Sequence, residues 1–568
     1  MSDNWTKVNQ ALVAKAIGEL TFEQLLLPTL KDEEWTLQLK SGVSYTFKGW
    51  MTVWEHLRVD PDSLKRDGLS VSSAARFFID SKSETEMSDI TLGQFLEEMH
   101  NTLHQDLILL EKNSQMSASL MTGLKDVEIQ GFLNGHPKIL LNKGRIGWDK
   151  KSLEDYAPES GKSFQLVWLA VKKDLIQGIV PGYEILDESF KDDEKEIFIS
   201  NFKYLDGYYV YMPVHPWQWD RYISIQYVGL LEKKQIIYLG QHGDLYRPQI
   251  SLRTLSNISR PEKKDIKVPL SILNTSSIRG LPAKTISQGP EISQILSRIC
   301  EQDSFLKDAD TQVLKESYGM ALIHPDYADI KNAPYRYHEF LGVVWRESTT
   351  SKLKEDEKTI LAAALMHQDQ QKKSLIGEFV RLSQITYEEW LKRYFEVVIL
   401  PLYHLQINYG VGLVAHGQNI VVKLKNNIPT GILLKDFQGD MRLLSEECRE
   451  LLKHFSSISE GVIKLPPHYL IHDLITGHFI TVLRFLSGVL EESDNFKEKD
   501  FYKILAKVIA EYVSDKKISK SQDLFSKTIS RVLLNKVRFN IGYSESSERP
   551  LPLLGRDLRN PLVHQDSI

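Results

Sequence analysis

Four segments gather chemically able side chains among turn residues. The tightest is His416-Gly417-Gln418-Asn419, followed seventeen residues after Asn419 by Asp436-Phe437-Gln438-Gly439-Asp440. An Asn and an Asp on paired strands can hold a magnesium ion against phosphate oxygens, as in kinases. No H-R-D loop or glycine-rich loop precedes them here. His416 can donate to a developing oxyanion or act as a positioning group. A second segment, KVPLSILNTSSIRG from Lys267 to Gly280, runs from a buried-looking strand into the hydroxyl turn Asn274-Thr275-Ser276-Ser277 and on to Arg279. Such a turn either exposes donors at a sheet end, where ligands commonly sit, or caps a helix and leaves Arg279 on the surface.

The third segment is Ser251-Leu252-Arg253-Thr254. Read as a strand, it puts Ser251 and Arg253 on one face and Thr254 on the other. A hydroxyl beside a guanidinium suits a phosphate oxygen, and an ordinary strand gives the same pattern. The fourth is Gly135-His136-Pro137 followed by Lys143, Arg145 and Gly147. Two cations on a glycine-flanked loop either wrap an anion or form a solvated basic turn. His215-Pro216-Trp217-Gln218-Trp219-Asp220 reads as a substrate wall or as tryptophans packing a domain junction. His404 and His478 sit on apolar helical stretches, as satisfied core or interface histidines do. P-loop, G-x-G-x-x-G and G-x-S-x-G motifs are missing, which lowers the weight of the commonest nucleotide and hydrolase folds.

The elements that must position these residues change texture twice. Residues 1–165 read as helical: WTKVNQALVAKAIGEL and TLGQFLEEMHNTLHQDLILLEK repeat apolar residues at three- and four-residue steps. WTLQLKSGVSYTFKGWMTVW between them alternates like a short hairpin, and residues 131–149 read as a structured loop. Residues 166–345 turn to short β-branched and aromatic runs: FQLVWLAV, YYVYMPV, QIIYLG and KVPLSIL. Residues 346–568 return to helices, with EDEKTILAAALMHQ expected as one of them. Within that part, GVGLVAHGQNIVVKLKNNIPTGILLKDFQGD reads as two strands joined at NNIP. The expected class is α+β, in three parts with boundaries near 165 and 345.

Composition narrows the function. The chain has 568 residues and a formal net charge of −5, so any anion must meet locally gathered cations, and sequence-independent nucleic-acid binding is not expected. Its 2 cysteines, Cys300 and Cys448, make neither a disulfide framework nor a Cys-rich zinc site and suit a reducing compartment. No signal peptide is read at the start. The most apolar stretch, residues 397–405, is short and contains Pro401 and His404, so a cytoplasmic protein without a membrane partner is expected.

Taken together and in order, GHP…K-x-R-x-G, HPWQ, S-x-R-T, K…TSxxR, HGQN and K/R-D-F-Q-G resemble the IucA/IucC family, the siderophore synthetases that work without a non-ribosomal peptide template. The six motifs span residues 135 to 440, and the length and the closing Asn560-Pro561-Leu562 also fit. The resemblance implies a cupped hand: a helical thumb (1–165), β-rich fingers (166–345) and a mostly helical palm with a small sheet (346–568), with ATP between fingers and palm. It implies a homodimer. It further implies that a carboxylate attacks the α-phosphorus of ATP, releasing pyrophosphate, and that an amine or hydroxyl then displaces AMP.

Carried onto this chain, the resemblance assigns Ser251, Arg253, Thr254 and Lys267 to the triphosphate. Thr275, Ser276 and Arg279 fall near the α-phosphate and the carboxylate. His416, Gln418 and Asn419 fall in the nucleotide and acyl-transfer pocket, Asp436 with Asn419 at magnesium, and His136, Lys143 and Arg145 on the closing loop. Lys267, Arg279 and His416 are the expected catalytic groups. Citrate needs further cations, for which Lys536 and Arg538 are candidates. Two departures stand out. Many members read Glu-Ala-His-Gly-Gln-Asn where this chain has Val414, and GHPKILLNK lacks the second His-Pro of GHPxHPxxK. The second variant resembles members acting on citrate or its monoamide. The alternatives are the same reaction on α-ketoglutarate, or a non-catalytic nucleotide or carboxylate sensor.

Overall fold

The computed structural model describes residues 2–179, 182–275, 277–437, 439–445, 462–516, 524–543 and 553–563. Ser276, Gln438 and Cys448, each named above, lie outside them.

A mixed α+β architecture is built around three principal cores. The N-terminal core packs the helices Ser2–Phe22 and Asp89–Asn113 against a five-stranded sheet. The expected hairpin is part of that sheet, with Trp35 opposite Phe47 and Leu37 opposite Tyr45. The largest core joins the C-terminal helices to a four-stranded sheet. One of those helices, His468–Asp494, is long and apolar enough by composition to cross a membrane, which the sequence reading did not single out. Of its most apolar window, 89% is buried inside the protein, as in a core helix.

The third core lies on an eight-stranded sheet. Its spatial order is Tyr209–Val214, Phe164–Lys172, Ile236–Pro248, Thr254–Asn257, Asp265–Lys267, Leu341–Arg346, Glu316–Leu322 and Gln177–Ile179, and every pairing is antiparallel. Leu255, Ile266 and Trp345 point into the apolar core on one face. The alternation of strand side chains therefore puts Thr254, Lys267, Asp265 and Arg346 on the other. Register makes this explicit, because Thr254 opposes Lys267 and Asp265 opposes Arg346. The sheet thus carries a charged stripe on a face that would otherwise need covering by apolar groups.

Asp436, just past the end of one strand of the four-stranded sheet, meets this stripe at Lys267 and Arg346; that sheet is ordered Thr311–Val313, Ile428–Leu434, Ile420–Lys425 and Glu357–Leu361. Its central hairpin turns at Asn426 and Asn427, both at positive φ (51° and 65°), the backbone that a tight two-residue hairpin demands and that Asn tolerates. Residues 357–361 depart from the helix expected there. They form a strand paired in register with Ile420–Lys425, from Glu357 opposite Lys425 to Leu361 opposite Val421. The β-branched Thr359 and Ile360 suit that edge, and pairing with the hairpin overrides the helical look of the following alanines. Ala362–Met366 is only a short 3-10 turn.

Candidate active site

The Asn426-Asn427 turn decides where the chemistry sits. Ile420 opposes Leu434 at the open end of the hairpin, so HGQN leads directly in and Lys435-Asp436 leads directly out at the same place. Three further hydrogen bonds close this end. The Val414 N–H donates to the Asp440 carbonyl at 2.8 Å, and the Asn419 amide donates to the Val414 carbonyl at 3.2 Å and to Asp440 Oδ2 at 3.1 Å. The loop is held from behind by His478, whose Nδ1–H donates to the Ala415 carbonyl at 2.7 Å while Tyr394 Oη lies 3.1 Å from its Nε2. His404 is likewise satisfied, by Tyr512 at 2.6 Å and Asp303 at 3.0 Å. Both histidines are structural.

Asp436 docks this end onto the charged stripe. Lys267 Nζ donates to Asp436 Oδ1 at 2.7 Å, and Arg346 reaches Asp436 Oδ2 at 3.2 Å and Asp265 at 3.0 Å. Burial alone would raise the Asp436 carboxyl, but Lys267, Arg346 and Lys435 outweigh it and hold it well below the usual carboxylate range. Burial, reinforced by Arg346, pushes Lys435 down to about 8.

Ser251–Arg253 are not a strand. Leu252 sits at φ 71° in the turn joining Ile236–Pro248 to Thr254–Asn257, closed by the Gln249 N–H donating to the Thr254 carbonyl at 2.8 Å. The turn follows from the antiparallel pairing of those two strands, which leaves Gln249 to Arg253 to reverse the chain. Residues 267–280 form a second hairpin, Leu270–Asn274 with Ser277–Arg279, so the hydroxyl turn caps a hairpin and no helix. The 135–147 loop is pinned to it: Ile146 and Leu273 exchange backbone hydrogen bonds of 2.9 and 3.0 Å. HPWQ buttresses the same hairpin from behind. Gln218 bonds Ser271 Oγ and the Phe340 carbonyl, and Trp217 packs against Trp148 in a small apolar cluster. It is junction packing and does not line the cavity described next.

These segments surround one cavity of about 290 Å³. Its walls include His136, Lys143, Arg145, Ser251, Arg253, Thr254, Lys267, Thr275, Arg279, His416, Gln418, Asn419 and Asp436, every described residue expected at the nucleotide and magnesium. Lys536 and Arg538 are not among them. The Lys536 backbone N–H donates to Glu23, and Arg538 pairs with Glu98 at 2.5 Å in a separate cavity behind the 270–279 hairpin. The C-terminal segment packs there against the helix Asp89–Asn113, which takes both cations away from the shared cavity.

The cations are not equivalent. Arg145 makes a bidentate pair with Glu159 at 2.9 and 2.8 Å, and Lys143 donates to Asp106 at 2.7 Å. Each is thereby compensated within the protein. Arg253 donates to the Gly280 carbonyl, which ties the 251–254 turn to the end of the hairpin carrying Arg279. His136 and His416 meet edge to face at 6.4 Å. Burial, with His416 and Lys15 nearby, pushes His136 down to about 3. His416 is also lowered by burial, against the pull of Asp440 and Asp436, and its Nδ1 is buried without a hydrogen-bond partner among the described residues. Both rings are therefore neutral near pH 7.

For a divalent cation the donor set is all oxygen: Asp436, Asp440 and the Asn419 side-chain carbonyl line the cavity together, as magnesium prefers. Arg346, Asp265 and Asp440 are site residues that the sequence reading did not assign. The signal available for Arg346 was a lone guanidinium closing LGVVWR, a strand buried at all six positions.

The family model described as IucA / IucC matches residues 125–367, and one described as ferric iron reductase FhuF-like transporter matches residues 388–546. The chain is 37% identical over 574 residues to the aerobactin synthase of Vibrio mimicus, covering 98% of this chain and 97% of that protein. Among solved structures it is similar to the aerobactin synthetase IucC from a hypervirulent pathotype of Klebsiella pneumoniae. That likeness has a TM-score of 0.88 and 36% identity over 99% of each chain. ATP-bound aerobactin synthetase IucA from the same pathotype shares the fold at a TM-score of 0.78 and 17% identity, covering 98% of this chain and 99% of that one.

Proposed function

The chain belongs to the IucA/IucC family, and from that premise we propose that it is an ATP- and Mg²⁺-dependent ligase of siderophore assembly. It activates a carboxylate of citrate, or of a citryl monoamide, as the acyl adenylate and condenses it with an amine. AMP and pyrophosphate are released. We further propose that the chain works as a homodimer and that residues 1–165, 166–345 and 346–568 act as thumb, fingers and palm.

The observation that carries the reading is the convergence of Arg253, Lys267 and Arg279 with His416, Gln418 and Asn419 on one cavity, from segments up to 166 residues apart. In the first step negative charge gathers on the incoming carboxylate and the α-phosphoryl oxygens. Arg279 faces both, and Lys267 and Arg253 take the departing pyrophosphate. Asn419, Asp436 and Asp440 would hold a magnesium ion, which would supply further positive charge there. In the second step the amine nitrogen bonds to the acyl carbon, and the carbon–oxygen bond to AMP breaks with its electron pair on phosphate. Neutral His416 offers an unprotonated ring nitrogen for the amine proton. Holding both reactants in one closed cavity supplies several kcal/mol of the barrier.

The test is citrate-dependent pyrophosphate release by Arg279→Ala and His416→Ala. Both are expected to lose at least a hundredfold in rate while remaining monodisperse. Retained activity in both would remove the site assignment, and a panel of acids including α-ketoglutarate identifies the carboxylate.

A further inference from the structure

Asp126 and Gln130 stand behind the shared cavity, and neither lines it. Asp126 opens the short helix Asp126–Ile129, and Gln130 follows one turn later, so the two side chains stack on one face. The Gln130 amide donates to Asp126 Oδ2 at 2.8 Å. Each residue then spends its remaining oxygen on a distant part of the chain. Gln130 Oε1 accepts from the Ile250 N–H at 2.9 Å, 120 residues away. Asp126 Oδ1 accepts from the Leu361 N–H at 2.7 Å, 235 residues away. Gln130 is 2% exposed, so a bond broken there strands a polar group away from solvent.

Both bonds fall beside groups of the proposed nucleotide site. Ile250 directly precedes Ser251, in the turn closed by the Leu252 N–H donating to the Gln249 carbonyl at 2.8 Å and the Thr254 N–H donating to Ser251 Oγ at 3.3 Å. Arg253 rides on that turn. Leu361 ends its strand two residues before Ala363, whose N–H donates to the Gly417 carbonyl at 2.9 Å. One amide and one carboxylate thus connect the turn carrying Arg253 to the HGQN loop. The pair is itself anchored to the helix Asp89–Asn113: Lys112 donates to the Gly131 carbonyl at 3.0 Å, and Asn113 to the Phe132 carbonyl at 3.2 Å. The residue types follow from what they face. A backbone N–H demands an acceptor, a carboxylate demands donors, and a primary amide offers both at a fixed spacing.

We propose that Asp126 and Gln130 are positioning residues that hold the Ser251–Arg253 turn in place against the HGQN loop, and with it a cation that meets the triphosphate. Loosening the bridge lets the turn recede, so the nucleotide loses contacts that the acid substrate does not use. Arg279, which faces the acid, is carried by the 270–279 hairpin that Ile146 pins. The inference rests on the ligase reading above and adds to it two residues that act on ATP without touching it.

The test is a double-variant cycle on the full chain, read by calorimetric titration with Mg·ATP and by the KM values for ATP and citrate. Asp126→Asn leaves one N–H facing another, and Gln130→Glu leaves two carboxylates face to face. Each is expected to weaken ATP binding by about tenfold, as one lost buried hydrogen bond does, with the KM for citrate unchanged. Asp126→Asn and Gln130→Glu together exchange the amide and the carboxylate. The new amide donates to the new carboxylate, whose other oxygen accepts from Ile250, and the Leu361 N–H still meets an amide oxygen. The exchanged pair is expected to return to within about threefold of the wild-type ATP affinity. Normal ATP binding by either single variant, no recovery in the exchanged pair, or equal losses for ATP and citrate would overturn the proposal. Where a single variant is too unstable to titrate, the exchanged pair decides: retained ATP affinity supports the bridge, and its loss overturns it. Failure of the ligase reading looks different: the cycle behaves as described, yet no acid elicits pyrophosphate release from the wild type.

Discussion

Replacing Asp436 by Asn removes one negative charge from between two buried cations. At an effective dielectric of about 20, the 2.7 Å contact to Lys267 is worth roughly 6 kcal/mol of gross attraction and the 3.2 Å contact to Arg346 roughly 5. Most of that repays the cost of drying three charges. What remains when one partner is deleted is the penalty of uncompensated buried cations, about 3–5 kcal/mol. Asp436→Asn should therefore lower the unfolding free energy of the ligand-free protein by about 3–5 kcal/mol, read from urea titrations followed by tryptophan fluorescence. The diagnostic is the double variant. Lys267→Met leaves Asp436 in direct contact with Arg346, and Asp436→Asn in that background leaves Arg346 with Asp265 at 3.0 Å. The combined loss should fall short of the sum of the single losses by about 1–3 kcal/mol. Strict additivity, or a loss under about 1 kcal/mol for Asp436→Asn alone, would show that the carboxylate does not balance the stripe.

Two further outcomes follow from the geometry. His136 and His215 are pushed by burial to about 3, and His367 and His478 to about 4. The unfolded chain therefore takes up protons first as pH falls below about 6.5. Stability present above pH 6.5 should fall by about 1 kcal/mol per ring by pH 5.5, and a urea midpoint unchanged between pH 7.5 and 5.5 would contradict this. Gly417→Ala should raise the KM for ATP several-fold, because an added Cβ would lie 3.0 Å from the backbone of Ala363, whose N–H donates to the Gly417 carbonyl at 2.9 Å. An unchanged KM would mean that the HGQN loop yields freely.

Local pattern carried the sequence reading as far as elements and motifs, and the hairpin around NNIP is the clearest case. Two alternating runs and a turn that Asn tolerates predict the pairing, and the pairing brings HGQN and Lys435-Asp436 together. What was hidden depends on long-range register. Arg346 faces Asp436 because its strand pairs with Asp265–Lys267, about 80 residues earlier in the chain, and no local periodicity encodes that. Residues 357–361 read as helix for the same reason, since their partner strand begins at Ile420. The compensation of Lys143 by Asp106 and of Arg145 by Glu159 was equally invisible. The sequence presents five cations of one kind, and the fold divides them into two already held by acids of the N-terminal part and three directed at the cavity by turns and a sheet.

The Lys267–Asp436 pair has a further consequence. A cavity lined only with free cations would repel itself when empty and draw in any passing anion. Here a carboxylate of the protein stands against the ammonium, so Lys267 is compensated from within the fold. Opening that pair presents an anionic and a cationic surface together, the charge complement of a phosphate carrying its own metal ion. An anion arriving alone would have to displace Asp436 and leave it stranded, whereas one that brings a cation exchanges partners with the pair. Under the proposed ligase reading, selectivity for a metal-bound nucleotide would be a property of the resting protein, set before any ligand is bound.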